Sequence, residues 1–115
     1  MKILFIVNES PWGSFLGIVA LRLVRAMANN GVQVTAVYFR QDGVYHALCG
    51  RVCDSGTPPL QQAWLELAAE QGLELLLCSA DARRRLETAP GKGFREAGLA
   101  EVLELLTGCD RVVTL

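Results

Sequence analysis

The feature that most constrains this chain lies in its first 40 residues. An unbroken apolar run, Ile3 to Val7, is followed by a loop from Asn8 to Gly13 that carries Pro11. From Ser14 to Asn29 the apolar residues Leu16, Val19, Ala20, Leu23, Val24 and Met27 recur at helical spacing. Asn30-Gly31 then offers a left-handed helix stop. Val32 to Phe39 is again β-branched and aromatic, as a second strand requires. A strand with no polar alternation is buried on both faces, which is the situation inside a parallel sheet. Strand, helix and strand in this order form a β-α-β unit with a right-handed crossover.

The rest of the chain continues the alternation. Gly43 to Leu48 suits a short helix, the segment from Asp54 to Pro59 a loop, and Pro59 to Gln71 a helix with Leu60, Ala63, Trp64, Leu67 and Ala68 on one face. Gly72 ends that helix, and Leu73 to Leu77 forms a third strand running into Cys78. Ser79 to Glu87 suggests a short polar helix, Thr88 to Gly93 a loop, Leu99 to Leu106 a helix, and Arg111 to Leu115 the last strand. The expected fold is a three-layer α/β/α sandwich around a mostly parallel sheet of about four to five strands. At 115 residues the chain is expected to be a single domain, 1–115.

Composition narrows the function classes. With 51% hydrophobic residues and a net charge of −1, the chain is not a disordered segment. It also lacks the positive field of a general nucleic-acid or anionic-membrane binder. The excess of apolar residues in so small a domain fits an exposed surface that pairs with other subunits. The N-terminal apolar run is too short for a signal-peptide core, and no stretch nears the roughly 20 apolar residues of a membrane span. A cytoplasmic protein with reduced thiols is therefore expected.

Reactive groups in open parallel sheets lie beyond the carboxyl ends of the strands. Cys78 stands there, ending strand three and preceding a helix whose N-terminal partial charge favours thiolate over thiol. Arg83, Arg84 and Arg85 add positive potential, and Asp81 opposes it. A thiolate in that position attacks sulfur or carries a persulfide. The alternative is a small apolar residue closing a buried strand.

Other candidates are weaker. Cys49 and Cys53 lie four residues apart, three residues beyond His46. They allow a reversible disulfide, a resolving thiol for an oxidised Cys78, or incidental thiols in a loop, and no second cysteine pair completes a zinc site. Cys109 precedes the last strand, away from the reactive edge, and reads as packing. His46 beside Tyr45 reads as a surface or interface residue, and no Gly-x-Ser-x-Gly motif accompanies it. Phosphate-loop patterns are absent. Gly13 to Gly17 could offer a helix N-terminus to an anion, and Asp42 stands where a ribose-binding acid would lie. Trp12 and Tyr45 are candidates for a partner surface, whereas Trp64 belongs to the core.

Several segments together resemble the DsrE/TusD-like sulfur-relay family. They are Tyr38 to Ala47 (YFRQDGVYHA), Leu73 to Cys78 followed by Arg83-Arg84, Gly98-Leu99, and Cys109 to Val113 (CDRVV). The resemblance spans the chain from first strand to last. It implies an α/β subunit that assembles into trimers or hexamers, of identical or related chains. It also implies that Cys78 accepts a persulfide sulfur from a protein donor and passes it to a protein acceptor. In this family the relay ends in tRNA thiolation or serves sulfur oxidation, with no cofactor, no metal, no membrane and no direct nucleic-acid contact. Three departures stand out: a short segment between Cys78 and Gly98, Ala100 where a glycine is usual, and the extra Cys49 and Cys53. The other function classes are a non-catalytic scaffold subunit of such an oligomer and a nucleotide- or flavin-binding α/β domain.

Overall fold

The computed structural model describes residues 1–12, 15–48 and 60–115. Five strands, β1 (Lys2–Val7), β2 (Gln33–Phe39), β3 (Glu74–Cys78), β4 (Phe94–Ala97) and β5 (Arg111–Thr114), form one sheet in the order β4-β3-β2-β1-β5. All four pairings are parallel. The helices are α1 (Leu16–Asn29), α2 (Leu60–Gln71), α3 (Ser79–Arg85) and α4 (Leu99–Thr107), with a 3-10 helix at Gln41–Ala47. The expected α/β architecture is what forms, with every strand parallel. Among the described residues no helix is long and apolar enough to cross a membrane.

Side-chain alternation divides each strand between two cores. Phe5, Val7, Val37, Phe39, Leu75 and Leu77 point to the larger cluster, under α1, α2 and the 3-10 helix. Leu4, Ala36, Tyr38 and Leu76 point to the smaller one, under Val102 of α4. Burial on both faces is the reason the central strands read as unbroken apolar runs. Trp64 is fully buried in the larger cluster.

Two details differ from the sequence reading. The buried face of α1 runs through Gly17, Ala20, Leu21 and Val24, while Leu16 and Val19 are exposed. The helix is turned because Gly17 lies against the His46 ring: a Cβ there would sit 3.1 Å from Cε1. The second is β4, which was not expected. It is a four-residue edge strand, Phe-Arg-Glu-Ala, with both charged residues exposed, so it has neither the length nor the β-branched content that marks a strand. Gly31 and Gly72 close α1 and α2 with positive φ angles of 81° and 66°, as helix-ending glycines do.

Candidate functional site

The carboxyl edge of the sheet gathers the loop after β1, the 3-10 helix after β2, and the β3-α3 junction. Gly43 makes this assembly possible. A Cβ at that position would lie 2.1 Å from the Val7 carbonyl oxygen, so the 3-10 helix can rest on the end of β1 only with glycine there. Arg40 N–H also donates to that carbonyl, at 3.0 Å.

Cys78 is the last residue of β3, half-buried, and pairs in register with Ala97 of β4. It occupies the N-cap position of α3 in an extended conformation, yet its side chain makes no capping hydrogen bond. Strand alternation turns the side chain toward the smaller core, with Leu76 and Tyr38. Tyr38 belongs to that core, and Cys78 is among the groups that perturb the ionisation of both Tyr38 and Asp81.

Burial, the hydrogen bond to Cys78 and the charge of that residue hold the Tyr38 phenol above the usual tyrosine range. Asp81 is held below the usual carboxylate range. The main cause is the Gln41 N–H, which donates to Oδ2 at 2.8 Å. The contact with Cys78 and the charges of Arg85 and Arg84 add to this. Gln41 itself has φ of 50°, a left-handed conformation that is uncommon for a residue with a side chain.

The arginines following Cys78 are largely engaged with carboxylates. Arg85 contacts Asp81 at 3.1 Å and Asp42 at 3.2 Å. Arg83 lies 3.6 Å from Glu96. Asp42 thus ties the 3-10 helix to α3, with its side chain still exposed.

His46 is corrected from a surface residue to a buried one, at 2% exposure. Nε2 lies 3.1 Å from the Glu9 carbonyl, and the ring packs against Phe39 and Trp64. Burial lowers its pKa to about 4, with the Glu9 carbonyl working the other way. The ring is therefore neutral at neutral pH and pins the loop after β1 to the 3-10 helix. The rings of Trp12 and Tyr45 lie 5.3 Å apart, tilted by 46°, and both residues are half-buried. Cys109 is half-buried against the smaller core at the far end of the sheet. Cys49, Cys53, Gly13 and Ser14 lie outside the described residues.

Tyr38 was not singled out from sequence. Its signal was the alternation of β2, which places every second residue on the face that Cys78 shares.

The model of the DsrE/DsrF-like family matches residues 1–115. The chain is 32% identical over 126 aligned residues to the sulfurtransferase TusD homolog of Pasteurella multocida (strain Pm70), across 100% of each chain. It is 31% identical over 126 residues to the sulfurtransferase TusD of Salmonella newport (strain SL254), across 98% of each. The crystal structure of the ychN protein from E. coli aligns with a TM-score of 0.83 at 24% identity, over 100% of this chain and 99% of that one. That last likeness concerns the fold alone.

Proposed function

This chain belongs to the DsrE/DsrF-like family, and on that premise we propose that it is a sulfur-relay protein whose Cys78 carries sulfur as a persulfide between two protein partners. The observation that carries this reading is the position of Cys78: a half-buried thiol at the carboxyl edge of a parallel sheet, in a chain whose full-length relatives are named TusD sulfurtransferases.

The chemistry is thiol exchange. The Cys78 thiolate attacks the terminal sulfur of a donor persulfide. A bond forms between Sγ and that sulfur, the donor's S–S bond breaks, and its electron pair leaves on the donor thiolate. The reverse roles apply in delivery: an acceptor thiolate attacks the outer sulfur, and the Cys78 thiolate leaves. One sulfane sulfur moves each time, so neither step requires an oxidant or reductant. Cys78 is half-buried at the edge of the sheet, which suits a sulfur that two proteins must reach in turn. Exposed Leu99 and Leu103 on α4 and Val112 on β5 supply apolar surface for the oligomer that the family resemblance implies.

The test is mass-spectrometric mapping of all four cysteines after incubation with a cysteine desulfurase and a persulfide carrier. Cys78 should gain 32 Da, about the mass of one sulfur atom, and Cys78→Ser should abolish loading, while Cys109→Ala leaves it intact. Undiminished loading of the Cys78→Ser protein would sink the proposal. A scaffold subunit would instead keep its native mass and its partners with no sulfur on Cys78.

A further inference from the structure

Among the described residues, Gln41 is the one non-glycine with a left-handed backbone, at φ of 50°. It opens the 3-10 helix. A residue with a side chain keeps such a conformation only where its surroundings fix it. Here the first turn of α3 does so, because the Gln41 N–H donates to Asp81 Oδ2 at 2.8 Å. Arg85, one turn further along α3, donates from Nη1 to Asp81 Oδ1 at 3.1 Å and from Nε to Asp42 Oδ1 at 3.2 Å. Two adjacent residues of the 3-10 helix are thus bonded to two residues of α3. The Asp81 side chain is only 14% exposed, so salt screens its contacts less than those of a surface pair.

Asp81 is spent on this contact rather than on its own helix. With Ser79 opening α3, it is the third helical residue. An acidic side chain there can turn back to the backbone N–H of the N-cap residue. Asp81 reaches outward instead, and Cys78, the N-cap residue, makes no side-chain cap bond either. A helix of seven residues with no side-chain cap does little to fix its own angle to the strand before it. The 3-10 helix supplies that angle. It is itself seated on β1, through Arg40 N–H on the Val7 carbonyl at 3.0 Å and through Gly43, where a Cβ would not fit. A continuous set of bonds therefore runs from the end of β1 to the turn that follows Cys78.

We infer that Asp81 is a positioning residue for Cys78: by holding the Gln41 amide and Arg85 together, it fixes the first turn of α3 on the 3-10 helix, and with it the direction in which the sulfur meets a partner. This rests on Cys78 being the reacting sulfur. Asp81 acts through the backbone, three residues after Cys78, and takes no part in the sulfur exchange.

The experiment is single-turnover loading of Cys78 from a protein persulfide carrier, for the wild type, Asp81→Ala, Asp81→Asn and Arg95→Gln. The rate at saturating carrier, the half-saturating concentration and the fraction loaded are read separately. Asp81→Ala loses the acceptor, and its saturating rate should fall about tenfold or more, since a misplacement of about 1 Å costs up to about a hundredfold. Its half-saturating concentration should stay within about twofold, with all of Cys78 still loading. Asp81→Asn keeps a carbonyl oxygen for the Gln41 amide and should recover to within about threefold of the wild-type rate. Arg95→Gln gives up two carboxylate contacts of β4 instead and should load like the wild type. Hydrogen exchange checks the contact itself: the Gln41 amide should be protected in the wild type and exchange at least about tenfold faster in Asp81→Ala.

An unmoved Asp81→Ala rate, an Asp81→Asn rate as low as that of Asp81→Ala, or a smaller loaded fraction at an unchanged rate would overturn the inference. Should Asp81→Ala fail to fold, an unprotected Gln41 amide in the wild type, or a fall of about tenfold in the Asp81→Asn rate, overturns it. A wild-type Cys78 that never loads removes the proposed function and this inference with it. Normal wild-type loading with an unmoved Asp81→Ala rate removes only the role of Asp81.

Discussion

His46→Gln should change how stability depends on pH. In the native protein the imidazole is at 2% exposure, its Nδ1 has no hydrogen-bond partner, and Nε2–H donates to the Glu9 carbonyl. Burial lowers its pKa from 6.5 to about 4. An unfolded chain binds a proton on this ring as the pH falls below 6.5, and the folded chain resists until about 4. The stabilisation from a neutral buried His46 is thus fully present above 6.5 and is lost progressively down to about 4. At about 1.4 kcal/mol per pH unit, the loss over that window comes to about 3 kcal/mol. Glutamine cannot titrate, and its amide reaches the position of Nε2, so the donor to Glu9 is retained. Urea unfolding followed by tryptophan fluorescence, at pH values from above 6.5 down to about 4, measures both proteins. The carboxylates common to both cancel in the difference between the curves. The wild type should lose about 3 kcal/mol relative to His46→Gln across the window. Parallel curves would refute the reasoning and place the ring where it can be protonated without cost.

Three further outcomes follow from packing and charge. Gly43→Ala should cost at least about 2–3 kcal/mol in urea unfolding, because its Cβ would meet a backbone carbonyl that cannot step aside. Trp64→Ala should cost about 3–5 kcal/mol by the same measurement, since the indole is fully buried against Phe39. Arg95→Gln removes contacts with Glu74 and Glu101 but should change stability by less than about 1 kcal/mol. Arg95 is half-exposed, and even that small effect should fade when unfolding is repeated at high salt.

The fold was legible wherever burial was uniform. β1, β2 and β3 lie in the middle of the sheet with both faces covered, and their apolar runs mark them directly. β4 escaped notice because an edge strand of four residues is held by its pairing with β3 rather than by its own composition. The turn of α1 escaped because a small residue, Gly17, was counted as neutral when it is the point of closest approach. At the site, Cys78 was legible from its place after a strand. Its true neighbours were not, since Asp81 could be read only as a charge opposing the arginines, and Tyr38 lies 40 residues away in sequence. Only the register between β2 and β3 brings them together. His46 was misread for a similar reason: nothing local announces that Trp64, Phe39 and the loop after β1 close over it.

The unequal division of the two cores has a consequence for exchange with solvent. The larger cluster joins α1, α2 and the 3-10 helix to the sheet, whereas the smaller one, which holds Tyr38 and Cys78, is roofed by α4. Lifting one nine-residue helix would uncover the smaller cluster around Leu4, Ala36 and Leu76 while leaving Trp64, Phe39 and Phe5 dry. This smaller side should therefore open as a subglobal unit, with a free energy set by one short helix and below that of the whole fold. The chemistry proposed for Cys78 thus lies on the thinner side of the molecule, and the thicker side keeps the strands in register beneath it.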